Sequence, residues 1–193
     1  MKKALLSIVL FATIGFTKVY AQNKGFLATT SIGLFRPAKQ INGINTSGFT
    51  TVTGVELQLK KQLWLTASAD FQSISYKQES QSLDIDGKLG MIPVLLGGRF
   101  LFSNASKFTP YISLNAGLTI LDIPKFETKN SKLRVFSETR LPFTFALRGG
   151  VQFQLNQSFF PYIELGFQSL KDDYFTQKLN FVSVNIGMRT YPF

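Results

Sequence analysis

Within Tyr111-Ile112-Ser113-Leu114-Asn115-Ala116-Gly117-Leu118-Thr119-Ile120-Leu121, every even position from 112 to 120 is apolar and every odd one from 113 to 119 is small or polar. A strand turns successive side chains to opposite faces, whereas a helix would repeat its apolar positions every 3–4 residues. The stretch therefore predicts a strand with one apolar face and one face of Ser, Asn, Gly and Thr. The same period recurs on both sides of it. It is present over 25–36, 49–60, 63–76 and a segment ending at Phe102, and again over 141–155, 159–170 and 179–193. After Gln22 no segment sustains a helical period. Eight strands of about ten residues match the count and length of a small transmembrane barrel.

Proline tests the assignment, because it removes a ladder donor from a central strand. Pro110, Pro142 and Pro161 fall at strand beginnings, Pro37 past a strand end and Pro124 in a loop. Pro93 is the awkward one, and it predicts a fourth strand starting near it, with 89–92 as loop or bulge. Connection lengths then separate a membrane barrel from a soluble one. The links 37–48, 78–88, 122–140 and 171–178 are long, while 60–62, 103–107 and 156–158 are short. Long loops at one end and tight turns at the other is the outer-membrane pattern, with the short turns on the periplasmic side. The fold expected is an all-β, eight-stranded, antiparallel up-and-down transmembrane barrel.

The polar faces carry few charges: Glu56, Asp70, Arg99, Arg148, Glu164 and Arg189. Each lies about four to eight residues from the short-turn end, a band roughly 10–20 Å above it. Three acids and three arginines at one level inside a narrow barrel can pair, as buried charges must. These six are read as a structural interior network, with Gly54, Gly97, Gly117, Gly150, Gly166 and Gly187 making room for the long arginines. The aromatics fall into two clusters, as membrane interfaces select. Trp64, Phe100, Phe102, Phe108, Tyr111, Phe153 and Tyr162 lie near the short turns. Phe35, Phe49, Phe143, Phe145 and Phe181 lie near the long loops. Trp64 and Tyr162 have inward parity and suit lumen packing better.

The N-terminus reads as an address. Lys2 and Lys3 precede an apolar run over 4–16 and a Val19-Tyr20-Ala21 end, the form of a secretory signal peptide. Domain organisation is thus a signal segment, 1–21, and a barrel domain, 22–193. Removing the three basic residues of that segment lowers the net charge from +10 to +7. The 193-residue chain has no Cys and no His. That removes thiolate and imidazole metal sites and the commonest nucleophile–base pairs, so no catalytic residue, metal or cofactor is implied.

The signal ending Val19-Tyr20-Ala21-Gln22, the Pro110-Tyr111 strand opening into Asn115-Ala116-Gly117-Leu118, and the final strand ending in Phe193 resemble the small Gram-negative outer-membrane β-barrel proteins, the porin-like barrel-domain family. The resemblance implies location in the outer membrane, contact with its lipid and lipopolysaccharide, and insertion by the barrel-assembly machinery. Tyr191 and Phe193 are similar to the terminal signal which that machinery reads, while Gly187, Arg189 and Pro192 depart from it.

The residues leave two non-enzymatic roles open. One is structural or surface interaction, centred on 122–140, where Lys125, Phe126, Lys129, Lys132, Arg134 and Phe136 could meet lipopolysaccharide phosphates, a polyanion or a surface protein. The other is a narrow channel or carrier for a small solute or apolar ligand. An enzyme is not expected, since barrel enzymes of this size class rely on His. Nucleic acid is excluded as a partner by location.

Overall fold

The computed structural model describes residues 25–39, 47–80, 83–102, 107–129, 132–171 and 179–191, giving backbone alone at the outermost hairpin ends, 76–80, 83–87, 124–129 and 132–137. The candidate signal segment and Phe193 lie outside the described residues. Nine strand segments form one sheet: β1 (Phe26–Pro37), β2 (Gly48–Gln58), β3 (Leu63–Ser80), β4 (Leu83–Leu101), β5 (Phe108–Lys129), β6 (Lys132–Arg140), β7 (Phe143–Phe153), β8 (Phe159–Lys171) and β9 (Leu179–Thr190). Every pairing is antiparallel, and β1 pairs with β9 to close the ring. β6 and β7 face β5 in one continuous register, Leu118↔Phe143 and Leu121↔Arg140, so they form a single strand interrupted at Leu141 and Pro142. The molecule is an eight-stranded antiparallel barrel.

Register also fixes the width. Followed once round, paired residues run Leu27, Glu56, Thr66, Gly97, Asn115, Ala146, Gln168, Phe181 and back to Pro37, a displacement of ten residues along β1. For eight strands that stagger sets a tilt of about 40° and an interior just wide enough for side chains to fill. All these residues share the inward parity. The outward parity is apolar: Ile32, Leu96, Leu114, Leu165 and Ile186 are each more than half exposed.

Three expectations are corrected. The 78–88 link is strand, because β3 and β4 stay paired to Ser80↔Leu83. The 122–140 link is also strand, paired from Leu121↔Arg140 to Lys129↔Lys132. Its charges alternate with Phe126, Leu133 and Val135 at the strand period, and this carries the ladder past the rim. Finally, β4 runs straight through 89–92. Pairing to β3 lapses only where Asp70 and Phe71 face Pro93 and Ile92, and it resumes at Gln72↔Met91 in the same register. A missing N–H costs local ladder contacts without shifting the strand.

Beyond Gly90↔Asp122 the β4–β5 pairing ends. The β3–β4 and β5–β6 hairpins therefore stand past the barrel as two separate arms. By register, Lys125, Glu127, Lys129, Lys132, Arg134 and Phe136 occupy the β5–β6 face continuous with the lumen. Phe126, Thr128, Leu133 and Val135 occupy the other. The β3–β4 arm is inverted. Tyr76, Gln78, Leu83 and Ile85 sit on its lumen-side face, and Lys77, Glu79, Asp84 and Asp86 on its outer face.

Candidate functional site

The lumen holds a connected ionic cluster toward the short turns. Glu56 accepts from Arg99 and, at 2.8 Å, from Arg189 Nε. Arg189 Nη2 lies 3.8 Å from Glu164, Arg148 Nε lies 3.9 Å from the same carboxylate, and Arg148 Nη2 donates to Asp70. The six charged residues thus form one alternating chain, Arg99–Glu56–Arg189–Glu164–Arg148–Asp70. They come from β4, β2, β9, β8, β7 and β3. Three cations and three anions cancel, so the buried set is neutral. Their side chains are between 1% and 11% exposed.

Aromatic and amide side chains complete the cluster. Tyr111 donates to Glu164 at 2.9 Å, and Arg99 donates to Gln152 at 2.7 Å. The Arg189 guanidinium lies 3.8 Å from the Tyr162 ring centre and 4.4 Å from that of Tyr111. Arg99 sits 5.3 Å from the Trp64 ring. Delocalised guanidinium over a ring face is a favourable way to desolvate the cation.

Three aromatic assignments, one at this level and two toward the arms, are corrected. Tyr111, Phe35 and Phe181 are buried inside the barrel, and the outer belts keep Phe100, Phe102, Phe108, Phe49, Phe143 and Phe145. At two of the six glycines the neighbour given room is an aromatic ring. Tyr111 lies directly opposite Gly150 and Tyr162 opposite Gly187, and a Cβ at either glycine would come within 2.8 Å of the facing ring. At Gly166 an arginine carbon, Arg148 Cγ, comes within 3.8 Å of that position.

Above the cluster, Gln72 donates to Gln168 across the lumen at 2.9 Å, and Thr119 bonds Thr144. Higher still, toward the arms, the interior turns apolar. Phe35, Ile74, Leu89, Met91, Leu121, Ile123, Leu170, Leu179 and Phe181 form one buried cluster. This cap was not anticipated. Its signal is the loss of alternation at the strand tops, as in Ile120-Leu121, where both parities become apolar. Between cap and base lie a cavity of about 30 Å³ bordered by Glu56, Arg99, Arg148 and Glu164, and a smaller one beside Asp70 and Gln72. The larger has room for one or two waters. Arg99 Nε, Arg189 Nη1 and Asp70 Oδ1 are buried without a hydrogen-bond partner, as groups facing such waters would be.

The other expected residues are spread apart. Tyr191, just past β9, donates its backbone N–H to Ser158 at 3.1 Å and sets its ring edge-on to Phe160. Lys125, Phe126, Lys129, Lys132, Arg134 and Phe136 all lie on the β5–β6 arm, far from the ionic cluster, with Phe126 on the opposite face from the rest.

No protein-family model and no curated protein matches the chain in sequence. Its structure is similar to solved outer-membrane proteins. Neisserial surface protein A gives a TM-score of 0.61 at 9% identity, over 88% of this chain and 97% of that one. Outer membrane protein OprG from Pseudomonas aeruginosa gives 0.59 at 12% identity, over 86% and 95%. Ail, the attachment invasion locus protein of Yersinia pestis, solved with the heparin analogue sucrose octasulfate, gives 0.50 at 18% identity, over 86% and 99%. The fold of this chain is that of the small outer-membrane β-barrels.

Proposed function

We propose that the chain is a closed, non-enzymatic barrel of the Gram-negative outer membrane that acts at the surface through its arms. One observation carries this reading. Among the described residues the lumen is occupied by a salt-bridged base below and an apolar cap above, and the two cavities described beside the charged residues are water-sized. A filled interior leaves the arms as the surface open to a partner, and their polarity is organised. Lys125, Lys129, Lys132 and Arg134 share one face, which suits a polyanion or an acidic surface protein. The complex of Ail with a heparin analogue supports a polyanion as the kind of partner.

Residues 1–21 act as the export signal in this reading, and the barrel-assembly machinery reads Tyr191 and Phe193. Exposed Leu, Ile and Phe on the outward parity meet lipid, which a soluble barrel would not present to water. The polar cavities favour a narrow channel as the second reading.

Refolded protein in planar bilayers separates the two. The surface role expects no conductance from the wild type. It also expects loss of binding to a sulfated polysaccharide after deletion of 125–134, with the barrel still folded. Steady single-channel openings, or unchanged binding after the deletion, would overturn it.

A further inference from the structure

The smaller lumen cavity, beside Asp70 and Gln72, gathers oxygen atoms from strands on both sides of the β1–β9 closure. Gly33 of β1 is level with Asn185 of β9 on one side and with Thr50 of β2 on the other, and Thr50 is level with Gln72 of β3. Asp70 lies two residues below Gln72 on the same inward face. Thr50, Asp70, Gln72 and Asn185 all border this cavity of about 10 Å³, and they are 1%, 1%, 8% and 2% exposed. Each carries a buried oxygen without a hydrogen-bond partner: Thr50 Oγ1, Asp70 Oδ1, Gln72 Oε1 and Asn185 Oδ1. Gly33 belongs to the arrangement. A Cβ there would come within 2.1 Å of Asn185 Oδ1 and 2.2 Å of the Val184 carbonyl oxygen, so a side chain at this position would displace the amide.

Buried oxygens without donors call for a positive partner. The amide N–H groups of Gln72 and Asn185 already point to Gln168 and Ser183, and Arg148 Nη2 donates to the other oxygen of Asp70. Gln168 Nε2 is the one buried nitrogen at this cavity left without a partner among the described residues. A water in the cavity would bring two protons to four oxygens, whereas a cation meets all four at once.

Charge and room decide which cation. The donors are one carboxylate, two amide oxygens and one hydroxyl, and no group of three or more His, Cys, Asp or Glu among the described residues suits a metal ion. Calcium takes six to eight oxygens, and magnesium keeps several of its own waters, for which a water-sized cavity has no space. The ionic base is already neutral, so a single added charge is tolerated better than two. Potassium is singly charged, close to water in size and well matched to carbonyl-type oxygens. We propose that this cavity binds one alkali cation of potassium's size, held by Thr50, Asp70, Gln72 and Asn185, which fastens β9 to β2 and β3 across β1.

Urea unfolding in a zwitterionic detergent, followed by the fluorescence of Trp64, the chain's only tryptophan, tests this. Choline chloride, too large for the cavity, holds ionic strength constant while potassium chloride rises to about 200 mM. A ligand that binds only the folded barrel draws the equilibrium toward it, so the wild-type folding constant should rise at least fivefold with potassium. Thr50→Val/Asn185→Leu should lose the response almost completely. Thr50→Val alone is nearly isosteric and should lose at least half of it, which keeps the test in force if the double variant fails to fold. Thr66→Val, at the larger cavity, should respond like wild type. A wild type indifferent to potassium, or a Thr50→Val variant with the full response, would leave water as the occupant and overturn the site. A response to about 5 mM magnesium chloride as large as that to potassium would overturn the monovalent assignment.

Discussion

At the short-turn end of the lumen, six charged side chains from six strands are joined in an alternating chain; at the arm end, nine apolar side chains pack with no direction in their contacts. Both ends fill the lumen with side chains, but they respond differently to error. A buried ion pair adds little net stability over a well-packed apolar replacement, yet removing one partner is costly because the other charge stays buried alone. The apolar end loses energy in proportion to the atoms and volume removed. A one-residue slip of any of these six strands would turn its charge to the outward face and leave its partners unpaired. The ionic end therefore selects strand order and register, and the apolar end closes the mouth.

The largest expected effect comes from Glu56, since it serves both Arg99 and Arg189. Glu56→Leu should destabilise the folded barrel by about 3–5 kcal/mol, read as a lower urea midpoint in detergent. Replacing Arg189 in the same chain should add much less than the sum of the two single losses, because one guanidinium no longer needs a partner. Additive losses would mean that each charge is separately hydrated, and the contrast between the two ends would collapse.

A truncation in the cap should cost slightly less on average and should have a second consequence. Phe181 is 2% exposed and packs edge-on against Phe35, with ring centres 5.6 Å apart. Phe181→Ala should cost about 3 kcal/mol through lost burial and the cavity left behind. It should also admit water from the arm side, so brief conductance events are expected in bilayers that record none for wild type. A destabilised variant that stays silent would show that the cap contributes packing alone and that the seal lies deeper, at the amide bridge or the ionic chain.

How much of this was legible in the sequence follows from which signals are local. Strand number, lumen-facing parity and the six interior charges could be read directly, because a period of two assigns faces without any tertiary knowledge. The identity of pairs could not. Tyr111 meets Gly150, and Arg148 reaches Asp70, only through a register that accumulates round the ring. The charge density of 122–140 reads as loop composition, although Lys125, Phe126 and Glu127 alternate at the strand period. Phe35 and Phe181 sit near strand ends, where closeness to the membrane interface points outward and parity points inward. At a barrel mouth both faces can be apolar, and parity then decides between lipid and lumen.

The smallest expected effect lies on the border between the two ends. Gln72 and Gln168 share one hydrogen bond across the lumen, and each keeps a buried atom without a partner, Gln72 Oε1 and Gln168 Nε2. A single Gln72→Leu strands the Gln168 amide against an apolar neighbour and should cost about 1–3 kcal/mol. The double variant Gln72→Leu/Gln168→Leu removes both desolvated amides and extends the cap downward by one layer, so its stability should return to within about 1 kcal/mol of wild type. Chemical denaturation of the two variants side by side measures the difference. If the double variant remained as unstable as the single, the amides would be hydrogen-bonded to water in the lumen. The polar zone would then reach higher than the cavities suggest, and the dry portion of the barrel would be confined to the cap.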